Sequence, residues 1–166
     1  MQPEATTLTF QARSSMHPVN GTAAQFSGHV DAATEGGVLV LDPQPAMHVE
    51  FPVERLRSGL ALQDNQMFKM LDSKRSPMVA ADLRELGPDG EGQYKAAGDI
   101  TLSGRTRRYE GTVTIAVDGE RLTVDGMLVI DIRNFGLQPP KLFMITVEPE
   151  VAVRLHLVAA LAAGAA

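Results

Sequence analysis

Between Gln93 and Arg133 the chain places an apolar residue at every second position through three successive runs. Tyr94, Ala96, Ile100 and Leu102 share one parity, and Lys95, Asp99, Thr101 and Ser103 share the other. In the second run Tyr109, Val113, Ile115 and Val117 oppose Glu110, Thr112 and Thr114, and Asp118-Gly119 follows as a pair that tolerates positive φ. In the third, Leu122, Val124, Leu128 and Ile130 alternate with Arg121, Thr123, Asp125 and Asp131. A period of two gives each strand one apolar and one wet face. Each run of about ten residues would reach about 30 Å at about 3.3 Å per residue, well beyond the usual strand. Strands that long predict a tall, curled antiparallel sheet, a barrel of about eight strands rather than a compact sandwich.

The flanking sequence extends the pattern. Leu8, Phe10 and Ala12 alternate with Thr9 and Gln11, and Pro18 interrupts after Ser14-Ser15-Met16-His17. Gly21 to Asp31 reads as one resumed strand, with Phe26 and Val30 opposite Ser27 and His29, and Glu35-Gly36-Gly37 as a turn. Val38 to Leu41 is an apolar run, and Met47, Val49 and Phe51 alternate with His48 and Glu50. The period then changes. Val53, Leu56 and Leu60 recur at three- and four-residue steps, and Asp64 is placed to cap a helical turn bearing Met67, Met70 and Leu71. A short helical segment near 53–72 is therefore expected to cover an open end of the sheet. Met78 to Leu86 alternates weakly, Gly87 to Gly92 reads as a hairpin loop, and Val147, Val151, Val153, Leu155 and Leu157 mark a last strand. The expected organisation is one domain over 1–158 and a frayed Ala-rich tail over 159–166.

Composition narrows the chemistry. The 166 residues include no cysteine, which removes disulfides, thiol catalysis and thiolate metal sites and is compatible with a reducing cytoplasm. The opening residues lack the basic-then-apolar order of a secretory signal, so the expected location is cytoplasmic, or periplasmic for a trimmed mature form. No run is long and apolar enough for a transmembrane segment. A formal net charge of −5 and the absence of tryptophan argue against nucleic acid as a partner. Arg105, Arg107 and Arg108 read as a solvated turn.

Several segments in fixed order resemble the YceI-like family of bacterial proteins. They are Ser15-Met16-His17-Pro18-Val19 with Phe26-Ser27-Gly28, then Pro52 to Gly59, then Gly98 to Arg107, and Asp131-Ile132-Arg133-Asn134-Phe135-Gly136. The resemblance implies a lipocalin-like antiparallel barrel that holds a long polyisoprenoid, such as a prenylated quinone, in its lumen, and it makes a homodimer plausible. Ser103 stands where many members have a histidine and Leu60 where an asparagine often follows the glycine, so head-group chemistry does not transfer.

The inner faces carry Val49, Ala96, Gly98, Val113, Val117, Val124, Gly126 and Val151, and the chain has only two tyrosines and six phenylalanines. Small walls leave room for a ligand, although the same residues could pack on one another. The expected ligand contacts are Phe10, Phe26, Val49, Phe51, Met67, Met70, Ile100, Leu102, Val113, Ile115, Val124, Leu128, Phe135, Phe143, Val151 and Val153. Met67 to Leu71 and Phe135 to Met144 are expected to flank the mouth, since methionine adapts to flexible apolar chains. Ordinary plugging of the barrel end is the alternative reading for both stretches.

No catalytic constellation emerges. His17, His29, His48 and His156 lack metal-ligand spacing, and the last three fall on wet strand faces; only His17 could meet a polar head group. Ser58 and Ser103 precede glycines without the Gly-x-Ser-x-Gly elbow. Asp64, Asp72, Asp125 and Asp131 read as cap, turn and solvent-face residues. The expectation is a carrier that is not an enzyme, without cofactor or metal. An isoprenoid-acting barrel enzyme and a packed barrel serving as a stress-response interaction module are the alternatives.

Overall fold

The computed structural model describes residues 5–16, 18–139, 141–142 and 145–160. In chain order the elements are β1 (Thr7–Ser14), β2 (Val19–Ala23), β3 (Ser27–Asp31), β4 (Ala33–Glu35), β5 (Val38–Val40), β6 (Ala46–Pro52), a 3-10 turn (Val53–Arg55), α1 (Ala61–Met70), β7 (Met78–Pro88), β8 (Gln93–Leu102), β9 (Arg105–Asp118), β10 (Arg121–Asp131), a second 3-10 turn (Ile132–Phe135), β11 (Lys141–Leu142) and β12 (Ile145–Ala160). The pairing order of the main sheet is β2-β1-β12-β10-β9-β8-β7-β6-β3, with β11 on β12 and β4-β5 as a separate hairpin. Every described pairing is antiparallel.

The stretch read as one strand over 21–31 is two strands at opposite edges of this order. Gln25 turns the backbone between them at φ 61°. Residues 24–26 alone link β2 to β3, a reach of about 14 Å at most. A flat sheet with strands about 4.8 Å apart would hold its outer members about 38 Å apart. The link and the pairing are compatible only if the sheet rolls up, and the result is a curled antiparallel half-barrel of lipocalin-like form. Thr22 and Arg57 bridge its open side, exchanging N–H to carbonyl bonds of 2.9 Å each way.

The two ends of the barrel differ. Where β9 turns into β10, the register joins Leu122 to Val117 and Ala159, and Val124 to Ile115 and Leu157. Leu122, Leu157 and Ala159 are almost fully buried in this layer, and Leu39 and Leu41, from β5 and just beyond it, belong to the same apolar cluster. That end is plugged. The other end, where β6 and β10 finish and β7 and β9 start, is covered by the two 3-10 turns and α1. The Ala-rich tail begins inside a strand: β12 continues through Ala160, and Val158 and Ala159 are buried, because they pair with Thr123 and Leu122.

Asp64 does not cap the helix from outside. Leu60 occupies the N-cap without a side-chain bond, and Asp64, within the first turns, accepts 2.8 Å bonds from both the N–H and the hydroxyl of Ser58. The weak alternation of β7 has a local cause. Its register against β8 shifts between Leu83 and Glu85, so Arg84 is the extra residue of a bulge, and the inward positions pass from Val79, Ala81 and Leu83 to Leu86.

Candidate functional site

Between the plugged layer and α1 lies a cavity of about 360 Å³. That falls within the range of about 300–1,000 Å³ usual for small-molecule sites. Strand alternation builds most of its wall. Ala96, Gly98, Ile100 and Leu102 come from β8, Tyr109 and Val113 from β9, and Leu128 and Ile130 from β10. Leu8, Phe10, Val151, Val153 and Leu155 close the side formed by β1 and β12, and Val49, Phe51, Val79, Ala81 and Leu83 the side formed by β6 and β7. Leu56, Ser58, Gln63, Met67, Met70 and Leu71 meet it from the α1 end.

Small residues on adjacent strands leave room in the wall. Gly111 on β9 faces Leu128 on β10 and lies opposite Ala96 on β8. Gly126 lies opposite Val113, and Gly98 opposite Tyr109. Gly98 has a second duty, since any Cβ there would run into the Asp82 carbonyl beside the bulge. Gly98, Gly111 and Gly126 fall in successive rows of the register, so a diagonal band across β8, β9 and β10 is stripped of side-chain bulk.

Most of the residues expected to contact a ligand line this space: Phe10, Phe26, Val49, Phe51, Met67, Met70, Ile100, Leu102, Val113, Leu128, Val151 and Val153. Ile115 and Val124 do not. They share the inward face but sit at the height of the plugged layer, where Leu122 and Leu157 fill the tube. Phe135 is also off the wall; it is 1% exposed and stacks behind Tyr109, with ring centroids 6.1 Å apart. Phe143 lies outside the described residues, as do His17 and Met144. Gly111, Leu8, Ala81 and Leu155 belong to the wall and were not singled out by sequence.

The wall is almost wholly hydrocarbon, with Ser58 and Gln63 as polar residues at the α1 end. Among the described residues no lysine, arginine or histidine lines the cavity. Of the four acids that border it, three are engaged on the outer surface, Asp82 with His48 at 2.7 Å, Asp99 with Arg84 at 3.0 Å and Glu110 with Arg108 at 3.5 Å, and the fourth, Glu148, is exposed. His29, His48, Asp82, Asp99 and Arg108 form one row across β3, β6, β7, β8 and β9, each opposite the next in register. The hydrogen bond that His48 donates to the Asp82 carboxylate, seconded by one to Glu50, holds its pKa above the ordinary value of 6.5 against desolvation. His156 is likewise bound on the outside, 2.6 Å from Asp125. Asp131 accepts from the Arg133 guanidinium and, to a lesser effect, from its backbone N–H, which lowers the Asp131 pKa. No group of three or more histidine, aspartate or glutamate residues among the described ones is arranged to hold a metal.

A rolled antiparallel sheet around an apolar cavity, with no cation among the described residues of its wall, defines a lipocalin-like barrel with room for a hydrophobic ligand. The chain belongs to the YceI-like domain family, whose model matches residues 1–159. Solved structures share the fold. The crystal structure of BcnA from Burkholderia cenocepacia aligns with a TM-score of 0.80 at 20% identity, over 95% of this chain and 98% of that one. A polyisoprenoid binding domain from Saccharophagus degradans aligns at 0.69 and 12% identity, over 95% of each. The YCEI protein of Campylobacter jejuni aligns at 0.71 and 11% identity, over 86% of this chain and 84% of that one. No curated protein sequence matches the chain. No described helix is long and apolar enough to cross a membrane.

Proposed function

We propose that the protein binds and carries an amphiphilic polyisoprenoid, a prenylated quinone-like lipid, with the chain inside the barrel and no covalent chemistry of its own. The observation that carries this reading is the cavity of about 360 Å³ with an almost wholly hydrocarbon wall. Burial contributes about 0.8 kcal/mol per methylene, so several isoprene units outweigh the cost of ordering the ligand. The twelve wall residues named above are its proposed contacts.

The head group is neutral on this reading. With no cation on the described wall, an anion drawn inside would lose its hydration for nothing, at a cost of several kcal/mol. Gln63 and the lone pairs of the Ser58 hydroxyl, both at the α1 end, suit a carbonyl or hydroxyl head. The free edge of β3, paired only with β6 among the described residues, supports a homodimer as part of the same proposal.

Detergent-free purification, organic extraction and mass spectrometry test it. A co-extracted lipid with a prenyl tail is expected, and Met67→Asp is expected to lower the amount recovered while the protein stays folded. An extract without any such lipid, from protein also unable to take up added ubiquinone, would end the proposal.

A further inference from the structure

We infer that the α1 end of the barrel is a membrane-docking face, which sets the cavity against a bilayer carrying anionic lipids. Large apolar side chains are exposed there without serving the core: Met16 is 74% exposed, Leu60 55% and Leu62 66%, and none belongs to the buried clusters. Met16 follows the end of β1. The antiparallel Thr22–Arg57 bridge carries the following residues toward the start of β2, so Leu60 arrives at that same rim. On α1, Leu62 and Lys69 are two turns apart and share the outer face, while Met67 and Met70 turn to the cavity.

The same rim collects exposed cations. Arg55 and Arg57 follow β6, Lys69 lies on α1, Lys74 and Arg75 precede β7, and Arg105 and Arg107 begin β9. Of these only Arg75 meets a carboxylate among the described residues, Asp72 at 4.0 Å. The acids at this end are fewer than the cations: Asp64 is buried under Ser58, Asp131 is bound to Arg133 and Asp72 faces Arg75, which leaves Glu54, Glu148 and Glu150 exposed. Farther down the barrel Arg84 and Arg108 are tied to Asp99 and Glu85, and the turns of the far end carry Asp89, Glu91, Asp118 and Glu120. A chain of net charge −5 is thus polarised along its axis.

Charge complementarity selects the occupant. Each cation near an anionic bilayer raises partitioning by roughly fivefold, and exposed leucine and methionine side chains can enter the interface where their hydrocarbon leaves water. A second copy would set like charges together, which opposes that alternative. The inference rests on the carrier reading, because docking would let an apolar chain pass between bilayer and cavity without crossing water.

Flotation of the purified protein with phosphatidylcholine vesicles, and with phosphatidylcholine mixed with phosphatidylglycerol, tests it. Binding to the mixed vesicles is expected, with much weaker binding to the neutral ones and loss at high salt. Lys74→Glu with Arg105→Glu is expected to weaken binding more than about tenfold, and Leu62→Asp to weaken it while circular dichroism stays unchanged. Equal binding to both vesicle types, wild-type binding by the folded variants, or no binding to either vesicle would overturn it. So would an oligomer seen in sedimentation that Leu62→Asp dissociates while flotation is unaffected. Lipid content is measured on the same preparations, so failure to dock and failure to carry are read separately.

Discussion

The rings of Tyr109 and Phe135 stack with their planes 10° apart, one on the cavity wall and the other sealed behind it. The Asn134 side chain, next in sequence, donates to the Tyr109 hydroxyl at 3.3 Å. The loop after β10 therefore fixes the wall from outside. Phe135→Ala should cost about 3–5 kcal/mol in chemical denaturation, as for other large-to-small core changes. A cost below about 1 kcal/mol would show that the stack is dispensable.

Gly111 offers a way to fill the cavity without disturbing the sheet. A Cβ there would meet Leu128 at 3.8 Å, an ordinary contact. Gly111→Leu is expected to fold, to keep or raise the melting temperature and to lose most of its extractable lipid. Undiminished loading in that variant would mean that the ligand does not occupy this height of the barrel.

Asp64 ties the start of α1 to the segment that bridges β2. Asp64→Ala leaves the Ser58 N–H without its acceptor in a half-buried setting, so a loss of about 1–3 kcal/mol is expected. Hydrogen exchange should quicken across 58–64 and leave β8 to β10 protected. Uniform quickening would show that the helix is not a separate cooperative unit.

His48 makes stability depend on pH. Its folded pKa is raised, chiefly by Asp82, so the stabilisation is full below 6.5 and disappears as pH rises through the raised value. Asp31 and the stacked His29 on β3, and Glu50 on its own strand, also face this group. The melting temperature of wild type should exceed that of His48→Gln by more below 6.5 than well above it, and Asp82→Asn should remove the difference. An NMR titration of His48 with an unshifted or lowered midpoint would contradict the assignment.

Alternation along β8, β9 and β10 disclosed which side chains face inward, because a period of two fixes the face of a strand. It carries no information on height. Val113 and Ile115 look alike in sequence, yet one borders the cavity and the other lies in the plugged layer, a difference set by the strands beyond β10. Gly111 escaped notice for a related reason: a missing side chain leaves a gap in an apolar pattern rather than a mark. The break at Gln25 carried no glycine or proline to announce it, so β2 and β3 read as one. Asp64 was legible as a helix-start residue, but its partner at Ser58 depends on the turn at Gly59.

The first and last long strands are neighbours close to the β2 edge of the sheet, with Thr7 opposite His156 and Val158 donating to the Thr6 hydroxyl. Until β12 leaves the ribosome, β1 and β2 have no seat, and the chamber lacks one of its walls. Contacts this distant in sequence are slow to form. The chamber's wall is therefore whole only once β12 has been made, and a nascent chain stalled before Ile145 is a greasy open sheet that needs shelter.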